Sequence, residues 1–354
     1  MSASPRAFAL AAVVTLAVVI GGAGATAVRA DAGLTNPKHF FWAPGQNPQG
    51  TVNSVANNLV YHGGNAGDGA IGVETKPAVY LIYWGTEWAD GFTTPDNATG
   101  TPYSSKTLQN YVNAFFGSVG GSRWADVQTQ YCRNVLAGAT GCAGVPGAEY
   151  ITNPTHQLKG VWTDPTPVPS DIVTLGLAEN LVNDPIAQEA MRASAHFNYD
   201  ANATYIILTP PRTVATGQPV YCGYHTRTTS LDGIGNPYRI QYAFIPFLNA
   251  DWPAVGTGGC GQHYVNATSN SFGNGVFDGY SIVTGHEYSE AVTDPDNFAS
   301  VQDGWNDASG SENGDKCAWT GTQNIALGGH QFAVQPTWSN EAFDATGNGC
   351  AVSR

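Results

Sequence analysis

The sequence predicts an α/β (α+β) fold, with a mixed sheet, one helix that carries a metal site, and long loops tied by disulfides. Three observations lead to this prediction. Apolar strand-like runs alternate with segments of helical periodicity, a short helix carries a histidine and two glutamates, and six cysteines accompany 43 glycines and 21 prolines. Glycine and proline at this density indicate long connections around a compact core.

The first 30 residues have the layout of a secretory signal peptide. Arg6 gives a positive start, residues 7–20 form an apolar run, and small residues follow as far as Ala30. We therefore expect a signal peptide over 1–30, a flexible lead-in over 31–55, and one globular domain over 56–354. An uncleaved membrane anchor is the alternative interpretation of the apolar run. The mature chain is expected to be secreted and to have no membrane span.

The elements of the domain follow from periodicity and from the residues that end each run. They are a strand over 78–84, a helix over 105–119, a loop over 152–170, helices over 171–183 and 185–196, and strands over 205–208 and 240–245. Pro246 ends the last strand, which indicates a strand at the edge of a sheet.

The next predicted helix contains His286-Glu287-Tyr288-Ser289-Glu290. It begins near Asp278, a suitable N-cap, and ends before Pro295. His286 and Glu290 are four residues apart and share one helix face, where an imidazole and a carboxylate can bind one divalent metal. The layout is that of the His-Glu-x-x-His metallopeptidase helix with glutamate in place of the second histidine, which predicts a zincin-like domain.

A second acidic cluster follows about two dozen residues later. In zincins of the thermolysin type, a later glutamate is the third ligand and an aspartate supports it. Glu312 and Asp315 can fill these two roles, in either order. The alternatives are a calcium site built from oxygen ligands and solvated surface charges. Because only 12% of the residues are charged, the clustering favours a metal site, with zinc as the leading cofactor.

Six cysteines in an exported chain predict three disulfides. The sequence leaves the pairing open, and the nearest-neighbour set is the simplest: Cys132–Cys142, Cys222–Cys260 and Cys317–Cys350. A Cys222–Cys260 bridge would bring His225 near His263. His225 could then be a third metal ligand or an electrophile for a developing oxyanion, or an ordinary hydrogen-bonded surface residue.

A net charge of −13 argues against nucleic acid and anionic membranes as partners. Nine tryptophans leave a carbohydrate-binding or glycosidase function open, since aromatic rings can stack on sugars and paired carboxylates can act on a glycosidic bond.

Several segments together resemble the phosphate-induced, EXORDIUM-like protein family. They are Leu59–Gly64, Ala78–Gly85, Tyr205–Thr209, Cys222–His225, Phe277–Glu290, Glu312–Cys317 and Phe332–Cys350. The loop between Cys132 and Cys142 and the insertion near residues 150–170 depart from the plant members. The resemblance implies an extracellular, wall-associated protein, and it implies no particular enzymatic activity.

Together these features predict a secreted, metal-dependent hydrolase that acts on a peptide or cell-wall substrate, with a zinc metallopeptidase as the leading interpretation. In this hypothesis His286, Glu290 and one of Glu312 and Asp315 bind the metal, and Glu287 is the general base for the attacking water. The rival hypothesis is a non-catalytic cell-wall or surface protein with a structural metal.

Overall fold

A computed structural model describes residues 38–46, 57–64, 70–96, 98–178, 183–212, 221–231, 237–248, 259–295 and 303–354. The predicted signal peptide lies outside the described residues, as do residues 31–37 and 47–55 of the predicted lead-in. The fold is mixed α/β, as predicted. Among the described residues, no helix has both the length and the apolar character needed to cross a bilayer.

The strands are β1 (His39–Trp42), β2 (Val60–Gly63), β3 (Ala78–Trp84), β4 (Thr93–Pro95), β5 (Pro102–Ser104), β6 (Cys132–Arg133), β7 (Glu149–Tyr150), β8 (Leu158–Asp164), β9 (Ala203–Leu208), β10 (Tyr221–Leu231), β11 (Pro237–Ile245), β12 (Gly304–Asn306), β13 (Gln323–Leu327), β14 (His330–Val334), β15 (Thr337–Trp338) and β16 (Cys350–Ala351). The α-helices are α1 (Thr86–Asp90), α2 (Ser105–Val119), α3 (Arg123–Asp126), α4 (Ile172–Gly176), α5 (Pro185–Phe197), α6 (Asp278–Thr293) and α7 (Asn340–Thr346). Two short 3-10 helices cover Val127–Gln130 and Asp315–Cys317.

Six strands form the central sheet in the order β1-β10-β11-β9-β3-β8. The strands β8, β3, β9 and β11 are parallel, β10 is antiparallel to β11, and β1 is antiparallel to β10. β3 and β9 lie inside the sheet, and their continuous apolar runs are typical of strands buried on both faces. The other strands pair in two-stranded sheets around this one.

Three expectations about this sheet are wrong. β11, which contains the strand predicted over 240–245, lies between β10 and β9 instead of at an edge. β8 forms one edge within the segment predicted as a loop, and β1 forms the other edge within the segment predicted as a flexible lead-in. Both edge strands are defined by pairing with strands distant in sequence, which local composition does not report.

The predicted helix over 171–183 appears as the short α4, and residues 179–182 lie outside the described part. The cap predicted for α5 is confirmed, since the Asp184 side chain accepts a hydrogen bond from the Ile186 amide. Asp278 is the first residue of α6 rather than its N-cap. Its carboxylate accepts hydrogen bonds from the amides of Val265, Asn266 and Gly275.

Helix α6 is buried along its entire length and packs against β10, β11, β14 and α2. A helix surrounded on all sides has no solvent face for its charged residues. The histidine and the glutamates of α6 therefore lie in the interior and need partners there.

All three predicted disulfides are present, and no cysteine is free. Cys222–Cys260 joins β10 to the segment before α6, and Cys317–Cys350 joins the 3-10 helix to β16. Three disulfides are consistent with an extracellular protein.

Candidate metal centre

Helix α6 brings two of the predicted ligands together. Because His286 and Glu290 are one turn apart, His286 Nε2 lies 3.0 Å from Glu290 Oε1. His286, Glu287 and Glu290 are at most 1% exposed. Tyr288, predicted to be a core residue, is buried and donates a hydrogen bond to Gln157 Oε1.

The segment Glu312–Asp315 crosses directly beside this pair. The Asp315 amide donates a 2.9 Å hydrogen bond to Glu290 Oε1, and Asp315 Oδ1 lies 3.9 Å from His286 Nε2. The crossing requires glycine at position 314, where an added Cβ would lie 2.8 Å from Glu290 Oε1 and 2.9 Å from His286 Nδ1. Asp315 of the predicted second acidic cluster thus lies beside both His286 and Glu290.

Strands β10 and β1 contribute two further imidazoles. Their antiparallel register places His39 opposite His225. His225 Nδ1 hydrogen-bonds Glu287 Oε2 at 3.3 Å and lies 3.3 Å from Glu290 Oε2, while its Nε2 lies 3.5 Å from Glu312 Oε1. His39 Nδ1 lies 2.7 Å from Glu312 Oε2.

Neighbouring side chains hold the His286 ring in place. The Phe41 ring stacks on it with centroids 3.8 Å apart, and Trp319 stacks on the far face of Phe41 at 4.6 Å. Gln335 Nε2 lies 3.0 Å from His286 Nδ1 and donates to the Gly314 carbonyl at 2.9 Å. Such contacts fix the ring orientation of a metal-binding histidine.

Several polar atoms at the centre are buried without a hydrogen-bond partner. They are His225 Nε2, His286 Nε2, Glu287 Oε1, Asp294 Oδ1, and both Oε1 and Oε2 of Glu312. Buried nitrogen and carboxylate atoms without partners cost free energy, which a bound cation would offset. The donor set therefore fits a metal ion.

The centre opens to solvent only at two of its side chains, among the residues that the structure describes. The Asp315 side chain is 29% exposed and the His39 side chain 24% exposed, whereas those of the other candidate ligands are at most 1% exposed. A solute reaching the centre would meet these two residues first.

Burial and mutual charge shift the pKa values at the centre. Burial raises the pKa of Glu287 to about 7 against the hydrogen bond from His225, and burial together with Glu290 raises that of Asp315 to about 7. Burial alone would lower the pKa of His286, but Glu290 raises it to about 9. Burial opposes ionisation of Glu312, yet His225 and His39 hold its pKa well below the usual range. The protonation of each of these groups therefore depends on the charge of the others.

Three groups of side chains at the centre can hold a metal ion, each with ligand atoms within 4.8 Å of one another. They are His286–Glu290–Asp315, His225–Glu287–Glu290 and His39–Glu312–Asp315. The predicted ligands His286, Glu290, Glu312 and Asp315 and the predicted catalytic residues Glu287 and His225 all belong to these groups. The first group joins two ligands on the helix to a third from the later acidic segment.

Sequence reasoning missed His39 and Asp294 and gave Gln335 no role. His39 stands in no recognisable motif, and only the pairing of β1 with β10 reveals it. Asp294 directly follows α6, and its carboxyl contacts Glu312, while burial and the Glu312 charge raise its pKa well above the usual range. In the sequence, Pro295 next to Asp294 indicated only the end of the helix.

Other candidates lie elsewhere. His263, the other histidine considered with His225, is in none of the three groups, and it contacts Asp96 Oδ1 at 2.5 Å and the Asn266 carbonyl. Of the tryptophans considered as sugar platforms, Trp84, Trp88 and Trp305 are at most 3% exposed and are core residues. Trp319 is half-buried and stacks on Phe41.

Comparison with known protein families, curated proteins and solved structures finds no match to this chain. The resemblance to the EXORDIUM-like family stays a prediction.

Proposed function

We propose that this protein is a secreted metal-dependent hydrolase, with a peptide as the leading substrate class. The observation that carries the proposal is the group His286–Glu290–Asp315, in which His286 Nε2 is buried without a hydrogen-bond partner. In this proposal these three side chains bind one divalent ion. Glu312, the other candidate for the third ligand, lies beside His39 and His225 instead.

The ligand chemistry favours zinc or a similar transition metal. Imidazole nitrogen suits these ions, whereas calcium prefers a shell made of oxygens. Each of the three groups contains one histidine, so every arrangement of the centre includes nitrogen.

Glu287 is the proposed general base. Its Oε1 is buried without a partner and is available to a water molecule, while its Oε2 is held by His225 Nδ1. His225 thereby orients the carboxylate, and Glu287 Oε1 accepts the proton of the attacking water and passes it to the leaving group. When bound, the metal would supply Lewis acidity towards the scissile carbonyl.

A non-catalytic extracellular protein with a structural metal is the second candidate. The burial of His286 and Glu290, both at most 1% exposed, favours it, because structural metal sites have closed coordination shells. The partial exposure of Asp315 favours the hydrolase, since it offers an opening beside the proposed ligands.

Two substitutions test the proposal. His286→Ala should lose one zinc ion per chain relative to the wild type, measured by elemental analysis of protein reconstituted with zinc and desalted. Glu287→Gln should keep both the fold and the zinc but lower hydrolysis of a broad peptide library at neutral pH by roughly 10²–10⁴-fold. Glu189→Gln, which also changes a buried glutamate, is the matched control and should keep full activity.

The outcomes separate the two candidates. Zinc content in His286→Ala equal to that of the wild type would exclude the proposed ligand. A wild-type protein that binds zinc yet cleaves nothing across peptide and glycan panels would favour the structural metal.

A further inference from the structure

The centre offers more ligands than one ion uses. A zinc ion in a protein takes about four ligands, whereas seven side chains contribute to the three overlapping groups. We propose that His39, Glu312 and Asp315 bind a second divalent transition-metal ion, with Asp315 bridging it to the ion bound by His286 and Glu290. This inference rests on the proposed function for the first ion.

The fold brings His39, Glu312 and Asp315 together. The pairing of β1 with β10 sets His39 opposite His225, and Phe41 anchors the same strand by stacking on His286. Asp315 lies between the two groups: its Oδ1 faces His286 Nε2 at 3.9 Å, and its Oδ2 accepts a hydrogen bond from the Glu312 amide. A carboxylate in this position can reach both ions.

Glu312 gives an independent indication of a cation. Its side chain is fully buried, and neither of its oxygens has a hydrogen-bond partner. His39 Nδ1 lies 2.7 Å from Oε2, but the geometry makes no hydrogen bond. The charged groups beside this carboxylate are the His39 and His225 imidazoles, and a divalent ion would bind the two oxygens of Glu312 together with the His39 nitrogen.

The number of carboxyl groups at the centre also favours two ions. Five carboxyl groups meet at the centre: Glu287, Glu290, Asp294, Glu312 and Asp315. Within the described residues, their ion pairs are with histidines and none is with lysine or arginine. Metal ligands bind in their deprotonated form, with histidine neutral and carboxylate ionised, so two divalent ions would balance the four carboxylates of the three groups, whereas one ion would balance two.

A carboxylate-bridged pair of ions suits hydrolysis. Two ions held close together can stabilise both the attacking and the leaving oxygen of a displacement, as they do in aminopeptidases and phosphatases. Mixed imidazole and carboxylate ligands suit Zn²⁺ and Mn²⁺. The second ion would lie beside the exposed edges of His39 and Asp315, on the side from which a substrate would enter.

The test counts ions in the full mature chain. Protein stripped with a chelator is loaded with MnCl₂ or ZnCl₂ and desalted, and its metal is measured by elemental analysis. We expect two ions per wild-type chain and one in both His39→Ala and Glu312→Gln. The control His330→Ala, an exposed histidine on β14, should keep two. Thermal melting checks that each variant is folded.

Paramagnetic resonance gives a second readout. Two bridged Mn²⁺ ions should give an exchange-coupled spectrum, and His39→Ala should give that of an isolated ion. One ion per wild-type chain, or two ions remaining in both His39→Ala and Glu312→Gln, would overturn the second site and leave the first intact. No ion in the wild type, or unchanged content in His286→Ala, would instead defeat the proposed function, and the second ion with it.

Discussion

Gly314→Ala is the sharpest steric probe of the metal centre. Gly314 has φ −75° and ψ −47°, which alanine adopts readily, so the substitution introduces no backbone strain. The added Cβ would lie 2.8 Å from Glu290 Oε1 and 2.9 Å from His286 Nδ1, where ordinary contacts begin at 3.4 Å. Both proposed ligands must therefore move by roughly half an ångström, which exceeds the about 0.2 Å that metal–ligand distances tolerate.

The expected loss follows from this displacement. We expect zinc affinity to fall by about 10–100-fold, the range typical when the support of metal ligands is disturbed. This corresponds to about 1.4–2.7 kcal/mol of binding free energy. Overpacking should also lower the free energy of unfolding of the metal-free protein by about 1–3 kcal/mol.

Competition with a zinc chelator of known affinity measures the first quantity, and urea unfolding of the metal-free protein measures the second. Gly117→Ala in α2 is the control, because its Cβ would meet nothing within 4 Å. It should leave zinc affinity unchanged and stabilise the helix by up to about 1 kcal/mol. Wild-type zinc affinity in Gly314→Ala would refute the assignment of these ligands.

Two further predictions concern stability. Replacing Cys317 and Cys350 with alanine opens a loop of 33 residues and should cost about 3.7 kcal/mol of unfolding free energy, against about 2.7 kcal/mol for the 10-residue loop of Cys132 and Cys142. Only the loss of the Cys317–Cys350 bridge should weaken zinc binding, because this bridge holds the 3-10 helix that begins at Asp315. Equal weakening in both variants would contradict this. Burial raises the pKa of Glu189 to about 8 from 4.5, so ionisation of this group should destabilise the fold progressively as pH rises from about 4.5 to about 8. Glu189→Gln should remove up to about 5 kcal/mol of this loss, and melting curves with the same pH dependence as wild type would contradict it.

The sequence by itself determined the part of the centre that lies on one helix. The four-residue spacing of His286 and Glu290 places both on one face, because backbone hydrogen bonding fixes 3.6 residues per turn regardless of surroundings. The sequence also predicted three disulfides but left their pairing open. Nearest-neighbour pairing was correct for all six cysteines, and Cys317–Cys350 ties down the 3-10 helix that begins at Asp315.

Only the tertiary structure decided which other residues reach the helix. His39 joins the centre because β1 pairs with β10 in one register, and a shift by one residue would turn its side chain to the opposite face. Strand pairing depends on packing between segments distant in the chain, so the composition of residues 31–55 indicated a flexible lead-in instead. The order of β11 within the sheet was decided in the same way. Local hydrogen bonding fixed the spacing on α6, whereas the pairing of distant strands fixed what surrounds it.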